Sequence, residues 1–256
     1  MRDGPVSVEA HGRILLLTLN RPDVRNAVDK AMADAMAAAL DQLDAENGLS
    51  VGVIAGAGKG FSAGMDLKAF AATGERPWAG DRGFAGIVRR AAHKPLIAAI
   101  EGFALAGGLE IALACDLIVA ARGARLGVPE VKRSLVAAGG ALRRLPRRLP
   151  YGVAMELALT GDPMSAERGH DLGLVNQLCE PGEALDSALA LAHRIAANGP
   201  LALAASKRIL EAQWGWTDAD FFDRQAEIAD PVMASEDARE GAHAFKEKRD
   251  PAWSGR

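Results

Sequence analysis

Gly102-Phe103-Ala104-Leu105-Ala106-Gly107-Gly108-Leu109-Glu110-Ile111-Ala112-Leu113-Ala114-Cys115 is the stretch on which the reading of this chain turns. The glycine pair closes a loop and opens a helix through Ala114. A helix start leaves unpaired N–H groups and a partial positive charge, so an oxygen gaining negative charge is stabilised there. Three residues on, Glu110 is the one charged side chain of an apolar run. A carboxylate so placed is buried unless it serves a site or pairs with a base. Leu96 to Ile100, after Pro95, and Leu117 to Ala121 flank the stretch as short apolar runs, which read as buried strands. Strand, glycine loop, helix and strand in succession predict an α/β fold.

Upstream, Val6 to Glu9 and Ile14 to Leu19 read as strands around a His11-Gly12 turn. Ala27 to Glu46 reads as a helix with Met32, Met36, Leu40 and Leu43 on one face, stopped by Gly48. Val51 to Ala55 is another buried strand. The loop behind it, Gly56 to Leu67, is glycine-rich but not a phosphate loop. Lys59 is followed by Gly60 where the Walker pattern needs Ser or Thr, and Phe61 stands where the dinucleotide pattern needs its last glycine. Its Ala63-Gly64-Met65 segment lets backbone approach a ligand and aims the Met65 N–H at an oxygen. Thr73 to Asp81 reads as a surface loop and Gly83 to Ala92 as a short helix.

Glu130 follows Gly127-Val128-Pro129, twenty residues after Glu110. Two carboxylates near backbone N–H donors can move protons on the carbons beside a carbonyl. A first-turn glutamate favoured by the helix dipole is the plainer reading of Glu130. Beyond it, Gly139-Gly140 opens a basic helix. Its Arg143, Arg144, Arg147 and Arg148 read as a solvated or salt-bridged face rather than a phosphate site. Helices at Tyr151 to Leu159 and Ser165 to Gly169, a strand at Leu174 to Leu178 and an amphipathic helix at Ala184 to Ala197 follow. Asn198-Gly199-Pro200 punctuates the chain, and all beyond is helical, with Trp214, Trp216, Phe221, Phe222 and Phe245 as apolar anchors.

A net charge of -3 argues against nucleic-acid or membrane-surface binding. Cys115 and Cys179 lie in apolar runs and read as buried free thiols of a reducing compartment. No apolar run is long enough to span a bilayer, and Met1 to Val6 carries no signal-peptide pattern, so the expectation is a cytoplasmic protein. The five histidines show no metal-ligand spacing. Ser62 and Ser134 lack a nearby His–Asp arrangement in sequence.

Taken together, the segments resemble the crotonase (enoyl-CoA hydratase/isomerase) superfamily over nearly the whole chain. Those that carry the resemblance are Asn20-Arg21-Pro22 with Arg25-Asn26-Ala27, Phe61 to Leu67, Lys94 to Ala99, Gly102 to Asp116, Pro129-Glu130 and Gly173 to Asn176. The ending Ser235 to Arg256, and Arg143-Arg144-Leu145-Pro146 with Pro150 and Glu156, look especially similar to the carnitinyl-CoA dehydratase branch. The resemblance implies a ClpP/crotonase-like spiral of ββα units over residues 1–198. It implies a helical region at 199–256 that makes trimers, often paired as hexamers. It also implies backbone oxyanion donors at Met65 and Gly107, catalytic Glu110 and Glu130, and coenzyme A lying along Arg25, Ala63, Asp66 and Lys68. No metal or cofactor is implied, coenzyme A being part of the substrate. Family hydratases often carry a proline in the turn that lines the acyl pocket. Here that turn reads Leu135-Val136-Ala137-Ala138-Gly139-Gly140.

The expected activity is hydration of a 2-enoyl-CoA thioester, with Glu110 activating water and Glu130 delivering the α-proton. The rivals are a carnitinyl-CoA-type dehydratase, a Δ3,Δ2-enoyl-CoA isomerase, and a non-catalytic acyl-CoA-binding or RNA-binding relative. An isomerase needs only one shuttling acid, so retention of both glutamates favours the hydratase.

Overall fold

The computed structural model describes residues 4–256. Its strands and helices, in chain order, are β1 (Val6–His11), β2 (Ile14–Leu19), α1 (Lys30–Ala45), β3 (Val51–Gly56), α2 (Leu67–Thr73), β4 (Trp78–Ala79), β5 (Gly83–Phe84), β6 (Leu96–Ile100), β7 (Phe103–Leu105), α3 (Gly107–Ala114), β8 (Leu117–Ala121), β9 (Arg125–Gly127), α4 (Ala141–Arg148), α5 (Tyr151–Thr160), β10 (Met164–Ser165), α6 (Ala166–Asp171), β11 (Gln177–Cys179), α7 (Ala184–Ala196), α8 (Pro200–Ala212), α9 (Phe221–Met233) and α10 (Glu236–Glu247).

The main sheet runs β1-β2-β3-β6-β8-β11, parallel throughout except for the β1–β2 hairpin. Both of its faces are covered, as a parallel sheet requires. Alternate residues such as Leu15, Leu17, Ile54, Ala98 and Ile118 join one core with α1 and α3. Their neighbours Leu16, Val53, Ile97, Ala99 and Val119 join a second core beneath α7. That helix presents Ala184, Ala188, Ala192 and Ala196, all buried. The four-residue spacing makes a smooth stripe on which helix and sheet approach closely.

The turns after β6 and β8 enter a second sheet, β10-β9-β7, and the turn after β3 touches it. The turn from β6 gives β7 and then α3. The turn from β8 gives β9 and then a 3-10 helix at Pro129–Arg133. In the turn from β3, Ser62 forms a bridge to Ala104 beside β7 before α2 begins. This is the expected ββα spiral, and its repeat stacks three loop-to-helix junctions on one side of the molecule.

Local differences from the sequence reading have physical causes. Helix α1 starts at Lys30 rather than Ala27, because the Asp29 side chain accepts the Met32 N–H at 2.9 Å and caps it. Val28 pairs instead with Met65. The predicted surface loop Thr73–Asp81 ends in β4, and the predicted helix Gly83–Ala92 is β5 and irregular turns. Gly83, Ala85 and Gly86 all take positive φ (73°, 53° and 69°), which no α-helix accommodates. Buried Arg82 holds this segment to α1, pairing with Asp41 at 2.6 Å and donating to the Arg90 and Ala91 carbonyls. Strands β7 and β9 are three residues each, too short for a periodicity to register. The predicted strand Leu174–Leu178 is shifted to β11 at Gln177–Cys179.

Beyond Gly199, α8 stays tied to the core. Lys207 reaches Asp116 at 2.8 Å, and that carboxylate also accepts the Leu96 N–H at 2.7 Å. The terminal segment folds back, with Trp253 donating its indole N–H to the Ala197 carbonyl and Asp237 accepting the backbone N–H groups of Ser254 and Gly255. The aromatic anchors are not all inward. Trp214, Phe222 and Phe245 are exposed, while Trp216 and Phe221 are half-buried and stack edge to face. Among the described residues no helix is long and apolar enough to cross a membrane. Cys115 and Cys179 are buried free thiols, and burial pushes the Cys115 thiol up to about 12.

Candidate functional site

The loop from Phe61 to Leu67 is built around Ser62. Its hydroxyl donates to the Asn26 carbonyl at 2.8 Å and accepts the Gly64 N–H at 3.1 Å. Asn26, buried in a left-handed turn, donates to the carbonyls of Ala57 and Gly60 and locks the loop from behind. Val28 donates to the Gly64 carbonyl and accepts from Asp66. Met65 lies between these bonds with its N–H turned away from Val28. No acceptor meets that N–H among the described residues.

Opposite it, α3 begins at Gly107. Ala106 holds the unusual backbone angles φ 52° and ψ −130°, with its N–H bonded to the Gly127 carbonyl at 2.9 Å. A non-glycine residue in this region costs of order 1–3 kcal/mol and persists where the surroundings impose it. Here it turns the first N–H of α3 away from the preceding strand, so the Gly107 N–H also has no acceptor among the described residues. The two junctions meet at Gly64, which has φ 92°. A Cβ on Gly64 would come within 2.7 Å of the Gly107 nitrogen. Gly108 is in equally close contact, since a Cβ there would lie 2.1 Å from the Ser62 carbonyl oxygen. The paired glycines therefore bring two unpaired amides to one place.

Glu110, in the first turn of α3, is 4% exposed. Its Oε1 accepts the Ala141 N–H at the start of α4 at 3.2 Å, and Gly139 lies over its carboxylate. Burial pushes its pKa up, while the N–H groups of Ala141 and Gly139 and the Arg144 guanidinium hold it back. Glu130, on the 3-10 helix after β9, is half-buried, and its Oε2 has no partner among the described residues. Burial, with the neighbouring Glu110 charge, pushes the Glu130 carboxyl up to about 7. The two acids are therefore close enough to repel, and their environments differ. Glu110 receives the N–H groups of Ala141 and Gly139 from another loop, whereas Glu130 has only its own backbone N–H to hold it back.

A cavity of about 230 Å³, lined by neither acid, opens at Gly139, the residue that lies over the Glu110 carboxylate. Two of its lining residues adjoin the site, Phe84, whose ring touches Gly107, and Gly139. Ala138, Gly139 and Gly140 line it, so the turn without proline does form a pocket wall. Trp78, Val88, Arg89, Arg143 and Arg144 complete it. Of the basic run, Arg143 and Arg147 are solvated as expected, and Arg147 lies over the Trp214 ring at 5.0 Å. Arg144 and Arg148 are not part of a salt-bridged face. They are half-buried, and they donate to the carbonyls of Val88 and Cys115 at 2.6 and 2.5 Å.

The remaining sequence-level candidates lie along the Met65 loop. Ala63 donates its N–H to the Arg25 carbonyl at 3.0 Å, and Arg25 is exposed in a left-handed turn with φ 58°. Lys68 is exposed on the first turn of α2. Asp66 has a structural task. It caps α2 by accepting the Lys68 and Ala69 N–H groups and pairs with Arg21 at 3.1 Å, and these contacts hold its carboxyl below the usual range. The wall residues Trp78, Phe84 and Arg89 were missed by the sequence reading. The close spacing of Gly80, Gly83 and Gly86 was the available sign that their segment is not helical.

The sequence model of the family described as "Enoyl-CoA hydratase/isomerase" matches residues 9–256. An enoyl-CoA hydratase of Mycobacterium tuberculosis is 40% identical over 257 residues, spanning 97% of this chain and 96% of that protein. A crystal structure of an enoyl-CoA hydratase from the same species superposes with a TM-score of 0.97 at 57% identity, covering 99% of this chain and 100% of that one. A carnitinyl-CoA dehydratase from Mycobacterium avium superposes with a TM-score of 0.79 at 43% identity, covering 99% and 100%.

Proposed function

The chain belongs to the enoyl-CoA hydratase/isomerase family, and from that premise we propose that it is a hydro-lyase adding water across the 2,3 double bond of a 2-enoyl-CoA thioester. The observation that carries this reading is the meeting of two acceptor-free backbone amides, Met65 and Gly107, beside two carboxylates of unequal acidity. The thioester oxygen sits between the two N–H groups. As water adds at the β-carbon, negative charge moves onto that oxygen, and the fixed donors stabilise it without reorganising. Each such donor contributes roughly 2.7–4 kcal/mol to the transition state.

The division of labour follows from the environments. Glu110, receiving backbone N–H bonds, is the more readily ionised acid and takes the proton from water. Glu130, raised to about 7 by burial and the Glu110 charge with only its own backbone N–H opposing, keeps its proton near neutrality and delivers it to the α-carbon. Both acids in place favour hydration over isomerisation, which needs one. The closer superposition on the enoyl-CoA hydratase favours it over carnitinyl-CoA dehydration. Coenzyme A runs past Arg25, Ala63 and Lys68, with the acyl group entering the cavity between Phe84 and Gly139. The helical region from α8 to α10, with the 3-10 turn between α8 and α9, carries Leu210, Trp214, Phe222, Met233 and Phe245 exposed. Such a set covers an interface more readily than it stays wet, so the working form is a trimer or a pair of trimers.

The test is direct. Crotonyl-CoA should lose its conjugated-thioester absorbance on addition of the protein, with 3-hydroxybutyryl-CoA as product. No hydration of crotonyl-CoA or of any other 2-enoyl-CoA would overturn the reading.

A further inference from the structure

Resting on the acyl-CoA reading above, we propose that the acyl group this site takes carries its own anion, a carboxylate at the end remote from the thioester. The cavity that begins at Phe84 and Gly139 is lined by three arginines, Arg89, Arg143 and Arg144, and by no acidic side chain. The arginines that form ion pairs among the described residues lie elsewhere, Arg82 and Arg90 being the nearest in sequence.

The three guanidinium groups are placed differently. Arg144 is anchored, donating to the Val88 carbonyl at 2.6 Å and the Gly139 carbonyl at 3.4 Å. Gly140 makes room for it, because a Cβ there would lie 2.3 Å from one of its terminal nitrogens. Arg89 is exposed, with its guanidinium carbon 4.6 Å from the centre of the Trp78 ring and no carboxylate paired with it among the described residues. Arg143 projects from the next position of α4 and is solvated. A planar guanidinium edge is the donor array that fits a carboxylate with two parallel bonds.

A plain alkyl chain would gain contact with Trp78, Phe84 and Val88 but would displace water from cations that it cannot pair. A cationic acyl group, such as one bearing a quaternary ammonium, would meet three like charges. A terminal carboxylate satisfies both walls, its methylenes on the aromatic side and its oxygens on the arginines. Coenzyme A's own phosphates are the other anions that could meet these residues, and the experiment separates the two.

Binding to the intact protein is measured by calorimetry for two saturated thioesters of equal chain length, glutaryl-CoA and pentanoyl-CoA. Glutaryl-CoA is expected to bind about tenfold or more tightly, the size of one or two charge-assisted hydrogen bonds. Arg89→Gln and Arg143→Gln, each checked for an unchanged circular dichroism spectrum, should lower that preference severalfold. Equal or tighter binding of pentanoyl-CoA would overturn the proposal. So would variants in which both thioesters lose affinity alike, which would assign the arginines to coenzyme A. The hydratase reading is tested separately with crotonyl-CoA and glutaconyl-CoA. Preferential binding of glutaryl-CoA without hydration of either enoyl thioester would leave this inference standing and sink the reaction. Hydration of crotonyl-CoA without that preference would do the reverse.

Discussion

Gly139 lies directly over the carboxylate of Glu110, so that a single methyl group on Gly139 would stand 2.2 Å from Oε2 and 2.7 Å from the carboxyl carbon. The backbone of one loop thus forms the lid of the acid, and the space left for that acid is set by a missing side chain. Gly139→Ala is expected to displace the Glu110 carboxylate without changing any catalytic atom. A misplacement of about 1 Å can cost on the order of 100-fold in rate. Steady-state hydration alongside a thermal melt checks this. Activity within a fewfold of the parent would show that the Glu110 position is not critical.

Glu110→Gln and Glu130→Gln should each lower hydration by roughly 100- to 10,000-fold, the range of a lost general acid or base. Binding of a saturated acyl-CoA should persist in both. Near-normal turnover in either variant would rule out the two-acid mechanism.

The pH profile carries a sign. In the proposed mechanism Glu130 acts protonated, and its carboxyl is raised to about 7, so kcat/KM should fall as pH rises through that value. Stability follows the same proton. Between the ordinary 4.5 and about 7 the folded chain holds a proton that the unfolded chain has released, so this group makes stability fall as pH rises across that window. Glu130→Gln should therefore raise the melting temperature relative to the parent at pH 8 and leave it unchanged at pH 4. Melts at the two pH values decide it.

Met65→Leu should stay active, because the proposed donor is the backbone N–H. Gly107→Pro should lose about 100- to 1,000-fold, since proline deletes one oxyanion donor. Gly64→Ala should also fail, because the methyl would stand 2.7 Å from the Gly107 nitrogen in a backbone conformation of φ 92°. A bound acyl-CoA structure with the thioester oxygen away from the Met65 and Gly107 nitrogens would refute the assignment.

Phe222→Asp combined with Phe245→Asp should break assembly while the subunit stays folded. These side chains are 73% and 88% exposed, so the substitutions should change subunit stability by only about 0.5 kcal/mol each. Sedimentation velocity would show smaller particles. Unchanged sedimentation would place the interface elsewhere.

The central strands β2, β3, β6 and β8 were legible because they are largely continuous apolar runs set off by Pro95, Gly48 and the glycine loops. Helix α3 was legible because Gly107-Gly108 opens it and one acid interrupts its apolar run. The same reading put a helix at Gly83–Ala92, where helix-compatible side chains are overruled by three left-handed residues. It took Arg144 and Arg148 for one face with Arg143 and Arg147, because spacing along a helix does not say which neighbour will bury it. Asp66 was legible as part of the loop but not as its cap and ion pair.

The amino-acid sequence by itself determined the parallel sheet, the glycine junctions and the presence of two acids, since these rest on local hydrophobic runs and residue types. Only the tertiary structure decided that Met65 and Gly107 converge, that Glu110 lies beneath Gly139, and that Arg89 faces the same cavity as Arg143 and Arg144. These relationships join segments 30 to 55 residues apart, roughly, across turns of the spiral. They are settled by close approach at Gly64, Gly108 and Gly139, a property of the packed backbone that no local pattern encodes.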